Sequence, residues 1–311
     1  MKTLTLAEIE QLSARELIEG LESGKFSLLK SLGATRLRLA MKPIGWACRF
    51  VLWLVLLGGG NKTQKDWRQK RAKAARIVKF FFPDSFEGEV ADAQALVVGF
   101  NHPTLHEILS LVAWSLERFP DRHNNFPTNL PWYESICTCA GTLRKISIHI
   151  TPLITPSTLG KLKIVCADNP AAINVIEGIQ KSFTNRYAEL AVEFARAGHN
   201  TFAAPSTTRQ ATIFASQADF AGTPGEKRPP RAMTFLLYYL KRSSASLTFL
   251  PVLVLPPAKY STRLNVFRRY HLVVKTGFPM SEAWACRKDF DHAFLLRLAE
   301  SAPPELIYPK P

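Results

Sequence analysis

The stretch from Leu96 to Ser110 contains a histidine and a carboxylate at a spacing that suits proton transfer. Its apolar start predicts a buried strand that ends at Asn101, and a helical repeat of apolar residues follows. We therefore expect His102 where the strand ends and Glu107 one turn into the helix. A general base needs a partner that fixes its ring tautomer. His102 and Glu107 are candidates for these two roles.

The elements that must position this pair follow an α/β pattern. Strands and helices alternate, which predicts a central mixed, largely parallel sheet flanked by helices. The strands are predicted at 146–150, 162–166, 201–204, 247–255 and 271–276. The helices are predicted at 171–182, 187–197, 233–241 and 290–300. Between them, residues 119–131 are rich in Pro and Asn and predict a loop.

Charge divides the chain into two parts. Residues 25–80 carry fourteen Lys and Arg against the single acid Asp66, within a net charge of +15. A surface this basic binds polyanions, either nucleic acid or anionic lipid. Pro83 and Asp84 predict a boundary, with a small N-terminal helical, basic region at 1–82 and the main domain at 83–311.

Three helical segments are predicted in the N-terminal region. The first covers residues 6–30, with Gly24 as a stop signal. The second, 44–57, has an uninterrupted apolar core of only eight residues, 50–57. About 20 are needed to cross a bilayer, so the alternatives are a buried helix of a small bundle or a segment that dips into one leaflet.

The third segment, 62–82, combines many Lys and Arg with Trp67 and a Phe run. This composition suits a helix in a lipid interface. The alternative is a solvated basic face whose apolar end packs on the main domain. Nucleic acid is disfavoured as a partner because no recognition helix, zinc motif or aromatic-stacking motif accompanies the charge.

Cysteine usage and the N-terminal residues indicate a cytoplasmic protein. The five cysteines are scattered, and the spacing of Cys137 and Cys139 fits neither a zinc ribbon nor a thioredoxin motif. We expect free thiols and no metal site. The N-terminal residues lack a signal-peptide pattern, and their glutamates argue against a transit peptide.

Four segments occur in an order that resembles a known family. They are Asn101–Glu107, Leu159–Val165, Ala203–Arg209 and Phe249–Pro257. Their order and spacing resemble the glycerolipid acyltransferases, the glycerol-3-phosphate and lysophosphatidate acyltransferase superfamily with its His-x4-Asp signature. The likeness is closest to the soluble plastid-type glycerol-3-phosphate acyltransferase, which has Asn-His-x-Thr in its first motif and Ala-Pro-Ser-Gly-Gly-Arg in its third. The resemblance covers about residues 90–280.

What the resemblance implies is acyl transfer from a thioester to a hydroxyl of glycerol 3-phosphate or lysophosphatidate in phospholipid biosynthesis. His102 would be the general base, and Glu107 would orient it in place of the family's Asp. Arg209 would grip the acceptor phosphate, and Lys161 matches a basic position of the second motif. The remaining substrate-binding candidates are the residues of the third-motif loop, Ser206, Thr207 and Thr208.

The resemblance also implies partners and location. The acyl donor would be a co-substrate, either acyl carrier protein or coenzyme A thioester (acyl-ACP or acyl-CoA), and no cofactor or metal is expected. The basic region would dock on an anionic membrane surface, which makes the enzyme cytoplasmic and peripherally associated with the membrane.

Some family positions differ here. Plastid-type members carry a Lys-His pair after the second motif and a further Arg after the third, whereas this chain has Ala167–Asn169 and Gln210–Ala211. Either another cation substitutes, from Arg144, Lys163 or Arg186, or the acceptor is not glycerol 3-phosphate. Alternatives are an acyltransferase of the same fold with a different lipid acceptor, such as an amine or sugar lipid, and a catalytically weakened lipid-binding protein.

Overall fold

The structure is a computed structural model that describes residues 2–57, 63–90, 93–101, 107–205, 213–214, 232–243, 246–256, 267, 269–300, 302–303 and 307–308. The elements before residue 120 are α1 (Leu6–Glu10), α2 (Ala14–Glu22), α3 (Leu28–Ser31), α4 (Thr35–Ala40), α5 (Lys42–Leu56), α6 (Gln64–Phe81), β1 (Asp84–Glu87), β2 (Ala95–Phe100) and α7 (Glu107–Arg118). Those from 120 to 205 are β3 (Asn124–Asn129), α8 (Leu130–Ile136), α9 (Ala140–Lys145), β4 (Ile148–Leu153), α10 (Pro156–Val165), α11 (Pro170–Arg196) and β5 (Asn200–Ala203). The later ones are β6 (Ile213–Phe214), α12 (Ala232–Leu240), β7 (Leu247–Leu255), β8 (Tyr270–Val274), β9 (Phe278–Pro279), α13 (Met280–Ala285), α14 (Phe290–Ala299) and β10 (Ile307–Tyr308).

The chain forms two compact units, and each is built from two separate segments. The first unit contains Met1–Ala74 and Asn125–Leu190, and the second contains Ala75–Asn124 and Ala191–Pro311. These units do not follow the boundary predicted at residue 82, because the first unit combines N-terminal helices with a segment from the middle of the chain.

The N-terminal residues form three short helices where the sequence predicted one, so the single helix over 6–30 is wrong. Ser13 and Ser27 are N-caps whose hydroxyls accept backbone N–H groups, which starts a new helix at each position. Gly24 has a positive φ of 67° after α2, a conformation that ends helices and that glycine adopts without strain. The stop predicted at Gly24 is confirmed.

The core of the first unit joins these helices to α8, α10 and α11. Glu134 on α8 is buried, and its carboxylate accepts hydrogen bonds from the Ser27 hydroxyl and, at 2.8 Å, from the Leu29 backbone N–H. Buried apolar residues from both chain segments form one cluster, which includes Leu17, Leu21, Leu28, Leu29, Leu130, Tyr133, Ile176 and Phe183.

The second unit contains the sheet that the first sequence motif enters. Its strand order is β1-β8-β7-β2-β5, and β9 also pairs with β7. The pairs β1–β8, β7–β2 and β2–β5 are parallel, whereas β7–β8 and β7–β9 are antiparallel. The predicted fold class, a mixed and largely parallel α/β sheet with flanking helices, is confirmed.

Helices pack on both faces of this sheet. A Cβ at Gly99 would lie 2.3 Å from the Phe294 ring of α14, so this α14 ring packs directly on the backbone of β2. Val98 pairs with Phe202, whose ring contacts Trp114 of α7 at 6.5 Å between centroids. Because neighbouring residues of a strand point to opposite faces, α7 and α14 cover opposite sides.

Two further local predictions are wrong. Residues 162–166 belong to α10 rather than to a strand, because Thr155 caps a helix that begins at Pro156. The two helices predicted at 171–182 and 187–197 are one helix, α11. Inside α11 the Thr184 hydroxyl donates to the Gln180 carbonyl, which satisfies a polar side chain within the helix.

The predicted loop at 119–131 contains the strand β3. Asn124 and Asn125 of this strand are buried, and Asn125 Oδ1 accepts a 2.7 Å hydrogen bond from the Thr151 hydroxyl of β4. Among the described residues Asn125 Nδ2 has no hydrogen-bond partner. Composition predicted a loop because asparagines are usually exposed, but this hydrogen bond offsets part of the cost of burying Asn125.

Candidate active site

The end of β2 is fixed by Asn101, the residue before His102. The Asn101 side chain is buried and makes two hydrogen bonds to the backbone of Val254 on β7. Its Nδ2 donates to the Val254 carbonyl at 2.9 Å, and its Oδ1 accepts from the Val254 N–H at 2.6 Å. The side chain thereby acts as one more backbone pair of the β2–β7 ladder and holds the point where the first motif begins.

The third motif leaves the sheet beside the first. β5 is parallel to β2, and Gly99 pairs with Ala203. Asn101 and Pro205 are each two residues beyond this pair, on strands that run about 4.8 Å apart. The chain therefore enters both motifs at the same edge of the sheet, the carboxyl edge at which open α/β sheets bind ligands.

The fourth motif supplies the strand on the other side of β2. Phe249 to Leu255 lie in β7, which is buried along nearly all its length, and Val252 pairs with Phe100. The three central strands β7, β2 and β5 thus lead to or carry the fourth, first and third motifs. The strands predicted at 201–204 and 247–255 match β5 and β7.

Most of the predicted site side chains lie outside the described residues. These are His102 and the four candidates of the third-motif loop, Ser206, Thr207, Thr208 and Arg209. Glu107 is described in its backbone only, as the first residue of α7. The structure thus fixes the two ends of the first motif, Asn101 and the start of α7.

Lys161 lies on α10, in the first unit, with its side chain in solvent. The three cations that could replace the missing family positions are all ion-paired. Arg144 donates to both carboxylate oxygens of Glu22 at 2.9 and 2.7 Å. Lys163 pairs with Glu177, and Arg186 pairs with Glu189 at 3.3 Å.

The helix that follows the first motif is held to α6 and β1. Lys79 Nζ lies 2.7 Å from the Glu117 carboxylate of α7 and 3.2 Å from that of Asp84. Burial raises the pKa of Asp84, and the Lys79 charge opposes this rise. This cluster joins the last turn of α6 to the end of α7.

The segment predicted at 44–57 forms α5, and one of its faces is apolar and exposed. Trp46, Phe50 and Trp53 are 65%, 54% and 55% exposed, and their spacing of four and three residues places them on one side of the helix. The opposite side is buried through Leu52 and Val55. α5 is thus neither fully buried nor fully exposed, and it combines features of both alternatives.

α5 also continues a longer apolar helical stretch. Thr35–Leu56 is 22 residues long and, by length and composition alone, could cross a membrane; 17% of its most apolar window is buried. The prediction that this region is too short considered only the core at 50–57. Core helices of soluble proteins and signal sequences share this length and composition.

α6 is more closely packed than its composition suggests. The Nζ atoms of Lys70 and Lys145 lie 5.1 and 5.3 Å from the centre of the Trp67 ring. Lys70 is buried. At the other end, the rings of Phe81 and Phe267 pack at 5.7 Å. Both observations favour the alternative in which the apolar part of this helix packs on protein.

Two supporting residues were missed by sequence reasoning. Asn101 was placed at the strand end without being given a role, and Gly99 was given none. The signal for Gly99 was a glycine inside an apolar strand, which often marks a close approach of another group. Asn101 had no signal besides its position at the strand end.

Potential metal ligands are dispersed in the part of the chain that is described. There, no three His, Cys, Asp or Glu side chains are grouped so that they could hold a metal ion. All five cysteines are free thiols.

Comparisons with known proteins give little further information. A scan against protein families finds no match, and a search of curated proteins finds none. Among solved structures, the chain is similar to the 1-acyl-sn-glycerophosphate (LPA) acyltransferase PlsC from Thermotoga maritima, with 14% identity over 86% of this chain and 96% of that one. The TM-score is 0.40.

Proposed function

We propose that the protein is an O-acyltransferase of glycerolipid synthesis that moves a fatty acyl group from a thioester to a hydroxyl of glycerol 3-phosphate or lysophosphatidate. The observation that supports this most is the common edge at which β2 and β5 enter the first and third motifs. Their register supports the proposal because Asn101 and Pro205, which precede the two candidate segments, lie at the same edge of the sheet.

In the proposed reaction, His102 takes the proton of the acceptor hydroxyl while the hydroxyl oxygen attacks the thioester carbonyl carbon. Glu107 holds the imidazole in one tautomer and stabilises the imidazolium. The tetrahedral intermediate then breaks its C–S bond, and the leaving thiolate takes the proton from His102. The products are an ester and a free thiol, and no acyl-enzyme forms.

Substrate binding is assigned to the third-motif loop. Arg209 binds the acceptor phosphate through its planar guanidinium. Backbone N–H groups of residues 206–208 are candidates for stabilising the oxyanion. The donor is an acyl carrier protein or coenzyme A thioester, and no cofactor takes part.

The base is tested by comparing two neighbouring histidines. We expect His102→Ala to lower acyl transfer by about 10²–10⁴-fold, the usual contribution of a general base. His106→Ala, the matched control from the same short segment, should retain activity. Acyl transfer by His102→Ala at the wild-type rate would contradict the mechanism.

The roles of the two other groups are tested separately. Glu107→Asp, which restores the family's residue, should be more active than Glu107→Gln. Arg209→Ala should raise KM for the phosphorylated acceptor more than KM for the acyl donor. An unchanged acceptor KM would remove Arg209 from the phosphate site.

A different lipid acceptor is a second candidate within the same reaction class. It is favoured by the ion pairs that occupy Arg144, Lys163 and Arg186, the cations proposed as substitutes. A labelled acyl-transfer assay should offer glycerol 3-phosphate, lysophosphatidate, an amine lipid and a sugar lipid in parallel, each with both donors. Turnover confined to the last two acceptors would replace the glycerophosphate proposal.

We also propose that the protein is cytoplasmic and docks peripherally on an anionic membrane surface through the region at 25–82. The exposed Trp46, Phe50 and Trp53 of α5 support this, because aromatic side chains next to basic residues suit the lipid interface. The net charge of +15 supplies the attraction to anionic lipid.

A further inference from the structure

The second unit contains an open cleft that the acyl-transfer proposal does not use. Its volume is about 340 Å³, and it lies between the end of α12, the following turn and α13. The lining residues are three aromatic and two basic: Tyr238, Tyr239, Lys241, Arg242 and Trp284. We call it the cationic–aromatic cleft.

Two cations at this cleft, Lys241 and Arg287, lie over the Trp284 ring. Lys241 Nζ lies 5.1 Å from the centre of the Trp284 ring, and the Arg287 guanidinium lies 5.3 Å from it. Arg196 donates to the Arg242 backbone carbonyl at 3.4 Å. Within the described residues, none of these four side chains makes an ion pair with a carboxylate, so their charges remain available to an anion.

The aromatic side chains form a wall rather than a buried core. Tyr238 is 49% exposed and meets Trp284 edge to face, with 5.4 Å between ring centroids. Exposed aromatic rings of this kind stack on nucleobases. The volume is also within the range of about 300–1,000 Å³ that is typical of small-molecule sites.

The cleft is remote from the candidate active site. The turn that contains Lys241 leads into β7, whose first residue, Leu247, pairs with Ala95 at the start of β2. Asn101 lies beyond the opposite end of β2, and six residues of strand span roughly 20 Å. The base and phosphates of a ligand bound in the cleft are therefore too far from the candidate active site to contact the reacting atoms.

We propose that the cationic–aromatic cleft binds a nucleoside phosphate, with the base against the exposed Tyr238 ring and the phosphates on Lys241 and Arg242. Two sources share this chemistry: a free nucleotide, and the nucleotide end of coenzyme A. A lipid headgroup would leave the aromatic wall unused. The proposal is independent of acyl transfer, because it concerns binding alone.

The test is calorimetric titration of the full chain with ADP. We expect saturable binding that Lys241→Ala/Arg242→Ala weakens at least tenfold. The control variant Arg269→Ala/Lys288→Ala also removes two exposed charges of the second unit, and it should change the Kd for ADP less than twofold. Because all four residues are charged surface side chains, circular dichroism should show both variants folded. No binding at millimolar ADP, or equal losses in the two variants, would overturn the proposal.

Further binding measurements identify the ligand. Tyr238→Leu should weaken ADP but leave pyrophosphate unchanged, and equal binding of ADP by this variant and wild type would overturn the nucleoside part. Competition with ADP by coenzyme A but not by pantetheine would indicate that the cleft binds the nucleotide end of the acyl donor. Displacement of ADP by anionic vesicles alone, with no competition by nucleotides, would overturn the proposal in favour of a lipid surface.

Discussion

The Asn101 side chain ties the end of β2 to the backbone of β7. Its two hydrogen bonds to Val254 fix the backbone immediately before His102. A buried pair of this kind specifies one position of the chain, and loss of one partner leaves the other unsatisfied.

We therefore expect Asn101→Ala to reduce kcat while KM for both substrates changes little. The unpaired Val254 N–H and carbonyl should also lower the free energy of unfolding by roughly 1–3 kcal/mol for each group. Steady-state kinetics and urea unfolding measure the two effects. Asn101→Asp keeps the acceptor but turns a carboxylate oxygen toward the Val254 carbonyl, so it should destabilise at least as much as Asn101→Ala. A change confined to KM would instead make Asn101 a substrate-binding residue.

In the first unit, Glu134 is a buried polar residue that joins two elements, α8 and α3, through its hydrogen bonds. Burial raises the pKa of Glu134, against the hydrogen bonds from Ser27 and Leu29 and the charge of Arg38. A raised pKa means that this group's stabilising contribution is complete below the ordinary glutamate pKa and is lost as pH rises through the raised value.

We predict that Glu134→Gln makes the unfolding free energy less dependent on pH in the window above the ordinary glutamate pKa. Glu134→Ala should destabilise at every pH, by roughly 1–3 kcal/mol for each buried partner left unsatisfied. Urea unfolding at several pH values measures both. Glu189→Ala, which removes an exposed partner of Arg186, is the control and should cost about 0–1 kcal/mol. An unchanged pH profile in Glu134→Gln would contradict the predicted direction.

At the scale of elements, α5 separates a packed side from an exposed one. On the packed side, a Cβ at Gly45 would lie 2.2 Å from the Ser135 carbonyl oxygen, so the helix runs directly against the end of α8. On the exposed side are Trp46 and Trp53. Substitutions on the exposed side can therefore change membrane binding with little effect on the core.

We expect Trp46→Ser/Trp53→Ser to weaken binding to anionic vesicles at least tenfold, because each tryptophan would bury a large apolar area in the lipid interface. Vesicle flotation measures the binding, and the unfolding free energy should stay within about 1 kcal/mol of wild type. Leu296→Ser, an exposed apolar change in the second unit, is the control and should bind vesicles normally. Equal binding by the double variant would remove α5 from the docking surface.

Sequence patterns predicted most elements whose burial follows a simple period. β7, α12 and α14 lie within one residue of their predicted bounds. The patterns were wrong where side-chain hydrogen bonds decided the structure, as at Ser13, Ser27 and Asn125. They also misled at Ile164, an apolar residue that is 77% exposed on α10 and that suggested a strand.

The candidate site was predictable to the level of its segments. The first and third motifs were expected after strands, and β2 and β5 end where they begin. Their adjacency in the sheet could not be derived, because strand order depends on contacts between residues about one hundred positions apart. The supporting bonds of Asn101 were hidden for the same reason.

For the whole molecule, charge should control the membrane partnership. The net charge of +15 implies that attraction to anionic vesicles weakens as salt rises and the Debye length shortens to about 3 Å at 1 M. Flotation with anionic and with zwitterionic vesicles, at low and high salt, measures this. Binding that is indifferent to both lipid charge and salt would contradict the docking proposal.

The first unit is built from two distant segments of the chain, so its core can form only after both have been synthesised. Leu21, Leu28 and Leu29 emerge from the ribosome roughly 100 residues before Leu130 and Tyr133, the partners that bury them. At about 5–20 residues per second, this interval lasts roughly 5–20 seconds. During that time the leucines of the nascent chain are not yet buried, and they lie close in sequence to the aromatic residues of α5. A chaperone or a bilayer that binds these apolar side chains would therefore do so before the first unit has folded.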